Sequence, residues 1–133
     1  MTTWMIYGAN GYSGELIASE AVASGLRPVL AGRRADRILA LANELGLAHR
    51  VFAADAPRLD GMGLVLNCAG PFSATARPMM EAAIAARAHY LDITGEIAVF
   101  ELARSLDAPA RAAGIVLCPG VGFDVIATDC VVL

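Results

Sequence analysis

The stretch "IYGANGYSGELIA", residues 6–18, decides how the chain is read. Gly8, Gly11 and Gly14 recur at every third position behind the apolar run "WMIY". The segment "GELIASEAVASGL" (14–26) then carries apolar residues at helical spacing and many alanines, with Gly25 as its stop. Strand, glycine turn and helix in that order open a βαβ unit of the dinucleotide-binding kind. The first glycine permits the tight turn. The second admits a pyrophosphate close to the backbone, and the third lets the helix pack on the strand. Free N–H groups at the helix start, with the positive end of its dipole, then face the anion. In this reading Gly8, Asn10, Gly11, Tyr12, Ser13 and Gly14 form a phosphate turn. The plainer alternative is a loop whose glycines serve only the turn. The spacing is GxxGxxG rather than GxGxxG, and both occur in dinucleotide-binding folds.

Working outward, strands are predicted over 4–9, 27–33, 49–55, 63–72, 89–96 and 115–123. Helices are predicted over 14–26, 35–47, 76–88 and 97–114. Pro78 falls in the first turn of the third helix, where proline is tolerated, and Pro109 must bend or break the fourth. Residues 56–63 form a short connection with room for one helical turn, and the last ten residues begin a further helix. The strands are apolar on both faces, as expected where helices cover both sides of a sheet. The alternation predicts an α/β fold: a Rossmann-type, doubly wound parallel sheet of about six strands in the order 3-2-1-4-5-6.

Composition narrows the function classes. The 133 residues are enough for one domain with a real core. Hydrophobic residues make up 57% and the mean hydropathy is +0.58, yet charged residues interrupt every apolar run, so no membrane span is expected. The start "MTTWMIYG" lacks the basic and long apolar regions of a signal peptide. The net charge is −3 and no basic stripe is present, which disfavours nucleic acid as a partner. Cys68, Cys118 and Cys130 form no CxxC pair, and His49 and His89 stand alone. No metal site or disulfide framework is expected, and a reducing cytoplasm fits best. The apolar ending "DVIATDCVVL" suggests that residues 1–133 are the N-terminal, NAD(P)-binding part of a longer two-domain protein.

The ends of the strands name the cofactor. NAD-binding domains place Asp or Glu at the end of the second strand, where it bonds the ribose 2′-hydroxyl. Here that place reads "AGRR", with Arg33 and Arg34. Guanidinium forks suit phosphate oxygens, so NADP(H) is preferred over NAD(H). The plainer alternative makes both arginines a solvated helix N-terminus, which the helix dipole disfavours without an anion nearby. Asp55 is placed to bond the adenine amine, and the run from Asn67 through Ala69, Gly70 and Pro71 to Phe72 to line the nicotinamide side. Turn or cap chemistry is the alternative for Asp55 and Asn67. Asp92, Thr94, Glu96 and Asp124 reach the same edge, where bracing of turns is expected for most of them. Cys68 and Cys118 read as small packing residues.

These motifs together resemble the saccharopine dehydrogenase-like family, specifically its NADP-binding domain, with the bacterial branch of trans-acting enoyl reductases nearest. The resemblance rests on "YGANGYSGELIA", "AGR", "NCAGPF", "HYLDITGE" and "GVGFDVIATDC", and so covers residues 6 to 130. One departure is Ala127, where relatives are expected to carry proline. The resemblance implies hydride transfer with NADP(H), to or from an imine or a lipid-like enoyl substrate. It implies a second, α+β domain that builds much of the substrate site and often a homodimer interface. It implies cofactor contacts from Gly8, Gly11, Gly14, Arg33, Asn67, Gly70 and Pro71. No catalytic acid or base carries over, so this chain alone is expected to be inactive.

Two other classes compete. A short-chain or extended dehydrogenase, reductase or epimerase shares the glycine turn but needs a Tyr-x-x-x-Lys pair. All ten basic residues here are arginine, and Tyr90 is followed by Leu91, Asp92, Ile93 and Thr94. A non-catalytic NADP-sensing or scaffold module is the other.

Overall fold

The computed structural model describes residues 2–132. The elements run β1 (Trp4–Tyr7), α1 (Tyr12–Ala23), β2 (Val29–Gly32), α2 (Ala35–Leu45), β3 (His49–Val51) and β4 (Leu64–Asn67). They continue α3 (Phe72–Ala86), β5 (His89–Asp92), α4 (Ile97–Ser105), α5 (Asp107–Ala113), β6 (Leu117–Cys118) and α6 (Phe123–Val132). The six strands form one sheet in the order β3-β2-β1-β4-β5-β6, and every neighbouring pair is parallel. This is the predicted Rossmann-type topology. The chain reverses direction across the sheet between β1 and β4, which opens a crevice at their carboxyl ends.

The strand period of two sorts the core into two layers. Ile6 and Leu30 pack with Ala18, Ile38 and Leu41 of α1 and α2. Met5, Val65 and Tyr90 pack on the other face with Met79, Met80 and Val99 of α3 and α4. Pairing register then aligns the strand ends. Tyr7 pairs with Ala31 on one side and Asn67 on the other, and Asn67 pairs with Asp92. One row at the carboxyl edge therefore reads Ala31, Tyr7, Asn67, Asp92.

Several predicted boundaries move. The third helix starts at Phe72 rather than 76, so Pro78 lies inside it rather than in its first turn. The reason is a distant cap, described below. The fourth helix is two helices divided at Leu106, and Pro109 stands in the first turn of the second, where its missing N–H costs nothing. Residues 56–63 hold turns and no helix. The sixth strand is only Leu117–Cys118, and Cys118 is exposed rather than packed. α6 follows as predicted, and none of its described side chains is buried.

Gly14 shows how tightly the first turn is built. It is buried in the first turn of α1, and a Cβ there would lie 2.2 Å from the Gly8 carbonyl oxygen and 2.8 Å from Ala9 Cα. Helix propensity alone favours alanine over glycine by about 1 kcal/mol. We expect Gly14→Ala to reverse that sign and lower the urea-unfolding free energy by about 1–3 kcal/mol through overpacking. Gly95→Ala, with nothing within 4 Å of its Cβ, should stay within about 0.5 kcal/mol.

Candidate functional site

A groove of about 640 Å³ lies at the carboxyl ends of β1, β2 and β4. Its size suits a small-molecule or cofactor site. Gly8, Asn10 and Gly11 form its floor; Gly32, Arg33 and Arg34 form one wall, with Asp55 beside them. Ala69, Gly70 and Pro71 form the opposite wall.

The floor is the glycine turn. Gly8 has φ +78°, a conformation that L side chains rarely adopt, and a Cβ there would meet the Ala69 backbone nitrogen at 2.8 Å. The β1–α1 and β4–α3 turns thus touch through bare backbone. Gly11 N–H donates to Gly8 O at 3.0 Å and closes the turn. Gly11 is also the N-cap of α1, and no side chain caps that terminus. The first N–H groups of α1 keep the orphan donors that every helix start carries.

The arginine wall is differentiated. Arg34 is the N-cap of α2 and pairs with Asp36 at 3.5 Å. Arg33 has no ion-pair partner among the described residues. Its guanidinium is felt by Tyr7, whose ring stacks on Phe52 with centroids 5.0 Å apart. Burial raises the Tyr7 hydroxyl pKa, Arg33 opposes the shift, and Asp55 adds to it. Gly32 leaves room for Asn10, whose Oδ1 lies 2.8 Å from where a Cβ would stand.

The opposite wall is held by a buried polar chain. Asn67 is fully buried. Its Oδ1 accepts from Ala69 N–H at 3.0 Å. Its amide donates to Thr75 Oγ1 at 3.1 Å and to the Tyr90 hydroxyl at 3.2 Å. Thr75 in turn donates to Ala69 O at 2.7 Å. The Tyr90 hydroxyl donates to Asp92 Oδ2 at 2.7 Å. Asp92 Oδ1 accepts from Thr94 N–H at 3.0 Å and Gly120 N–H at 2.9 Å. Burial pushes the Tyr90 hydroxyl pKa up, and Asp92 pushes the same way. The Cys68 thiol, beside this chain, is pushed up to about 12 by burial and secondarily by Asp92.

Glu96 supplies the missing cap of α3. Its carboxylate accepts from Phe72 N–H at 2.7 Å and Ser73 N–H at 3.2 Å. This explains why α3 begins at Phe72 although no local residue there is a cap former. Of the three helix starts beside the groove, α3 is therefore satisfied by an anion of the chain, and α1 and α2 have no side-chain cap.

Most of the residues singled out in the sequence converge. Gly8, Asn10, Gly11, Arg33, Arg34, Asp55, Ala69, Gly70 and Pro71 line the groove. Asn67 lies behind its wall and reaches it through Ala69. Gly14 is packing, Tyr12 is 85% exposed away from the lining, and Phe72 is half-buried against the core. Ser13 faces a second, smaller hollow of about 210 Å³ with Thr94, Gly122 and Asp124. Bracing holds for Asp92, Thr94 and Glu96; the Asp124 side chain is exposed. Sequence reading missed Thr75, Tyr90 and the cap role of Glu96. For Tyr90 and Glu96 the only signal was the cluster of polar residues in "HYLDITGE"; for Thr75 there was none. Among the described residues no helix is long and apolar enough to cross a membrane, and no group of three or more His, Cys, Asp or Glu could hold a metal.

The sequence and the fold match known proteins. Residues 4–118 match the family model described as the saccharopine dehydrogenase NADP binding domain. Trans-acting enoyl reductases of Mycobacterium bovis and Mycobacterium tuberculosis are 32% identical over 94% of this chain and 33% of theirs. The chain spans a quarter to a third of the length of its curated relatives. In fold, Saccharomyces cerevisiae saccharopine dehydrogenase superposes with TM-score 0.76 at 17% identity, covering 94% of this chain and 28% of that one. GenD2 from gentamicin A biosynthesis, solved in complex with NAD, gives 0.66 at 25% identity, covering 90% and 34%.

The thiols separate the buried edge from the surface. At pH 8 a thiol with a pKa of about 12 is ionised to roughly one part in ten thousand. We expect iodoacetamide at pH 8 to label exposed Cys118 and Cys130 first and half-buried Cys68 far more slowly, as read by peptide mass spectrometry. Prompt labelling of Cys68 would show that its thiol ionises more readily than its half-buried place near Asp92 implies.

Proposed function

The chain belongs to the saccharopine dehydrogenase NADP-binding domain family, and we propose that it is the cofactor-binding half of an NADP(H)-dependent oxidoreductase. The carrying observation is the groove that places an uncapped helix start opposite two arginines. Orphan N–H donors of α1 suit the pyrophosphate, with Gly8, Asn10 and Gly11 giving it room. Arg33, with no ion pair among the described residues, takes the 2′-phosphate, and Arg34 shares itself with Asp36. Asp55 takes the adenine amine. Ala69, Gly70 and Pro71 form the wall for the nicotinamide side.

A bound nicotinamide supplies or accepts the hydride; the protein contributes binding, orientation and electrostatics. The reading extends to an enoyl- or imine-type, lipid-like or other small-molecule substrate, supported by the name of the mycobacterial relatives. Residues 1–133 are then one part of a longer two-domain enzyme, supported by the relatives' greater length. Three free cysteines fit a reducing, cytoplasmic setting.

Calorimetric titration with NADPH and NADH tests the reading. We expect tight NADPH binding, weakened by about ten- to a hundredfold in Arg33→Ala, or about 1.4 kcal/mol per factor of ten. NADH binding should hardly change. Equal binding of the two cofactors by the unaltered chain would remove the 2′-phosphate assignment and leave the glycine turn standing.

A further inference from the structure

We infer that Glu96 is a positioning residue for the nicotinamide side of the groove, acting through the 69–71 wall without touching the cofactor. This rests on the cofactor reading above. Glu96 does not line the groove, yet both its carboxylate oxygens are engaged, on Phe72 N–H and Ser73 N–H. Those two residues follow the wall directly. Charge-assisted bonds to orphan donors of a helix start are the strong kind, so the far end of the wall is firmly held.

Glu96 is itself held. Its own N–H donates to Thr94 Oγ1 at 3.0 Å. Thr94 N–H donates to Asp92, Asp92 accepts from Tyr90, Tyr90 accepts from Asn67, and Asn67 accepts from Ala69 N–H. The chain of bonds leaves the wall at Ala69, crosses β5 and the turn after it, and returns at Phe72. Residues 69–71 are thus clamped at both ends by one closed circuit. Arg33 and Asp55 take no part in it, because they lie on the other side of β1. Loss of Glu96 opens the circuit on the nicotinamide side alone.

The test is titration of the unaltered chain, Glu96→Ala and Glu96→Gln with two ligands. Adenosine 2′,5′-bisphosphate spans only the arginine side; NADPH spans both. In Glu96→Ala we expect NADPH binding to weaken about tenfold and bisphosphate binding to stay within about twofold. Glu96→Gln keeps an acceptor oxygen for one of the two N–H groups and should recover part of the loss, a rescue that general loosening would not give. Unchanged NADPH binding in Glu96→Ala overturns the inference. So does a parallel loss of both ligands, if it appears also in a Glu96→Gln protein whose melting temperature shows it folded. An unaltered chain that binds neither ligand removes the cofactor reading and this inference together. One that binds both, with no effect of Glu96, removes the positioning role only.

Discussion

The hydrogen-bond chain from Asn67 through Tyr90 to Asp92 is the constraint on which the rest depends. All three residues are fully buried at the edge of a parallel sheet. Polar groups so placed cost several kcal/mol unless every one finds a partner, and partly satisfied networks are worse than none. Here no buried side-chain nitrogen or oxygen lacks a partner among the described residues. That completeness depends on register. Asn67 stands beside Asp92 only because β4 and β5 pair as they do. A slip of β5 by one residue would turn Tyr90 and Asp92 to the opposite face and leave Asn67 without them. The network therefore selects one alignment of strands that apolar packing alone would leave less sharply defined.

From that alignment the groove follows. The β4–α3 turn is held behind its wall, and the β1–α1 turn closes on it through the bare backbone at Gly8. The helices that start at this crevice differ in electrostatic status. The α3 start is neutralised by Glu96, and the α1 start is left with donors unclaimed by any side-chain cap. An anion entering the crevice meets helix starts without a side-chain cap at α1 and, beside Arg33 and Arg34, at α2. The guanidinium of Arg33, without an ion pair among the described residues, stands across the groove from the wall, which separates the charged end of the site from the end shaped by small residues.

Much of this was legible in the chain. The glycine spacing behind "WMIY", the helical run after it and the alternation of elements were enough for the sheet and its strand order. Nine of the residues lining the groove were found because the carboxyl ends of parallel strands must converge, so residues at strand ends and in the turns after them become candidates. Boundaries were less legible. Phe72 did not read as a helix start because Pro71 before it has no side chain that can cap. The cap lies 24 residues on, at Glu96.

What the sequence determined by itself is set by local physics. Periodicity, glycine turns and proline positions act within a few residues, and they define the Rossmann-type order and the glycine turn after β1. What only tertiary structure decided is which polar residues brace and which line the site. Asn67 and Asn10 are both asparagines beside glycine turns; one is sealed behind the wall and the other opens on the groove. Arg33 and Arg34 are adjacent, and only one has an acidic neighbour within reach among the described residues. These distinctions depend on contacts between segments distant in sequence or on side-chain direction, and both exist only once the sheet has formed.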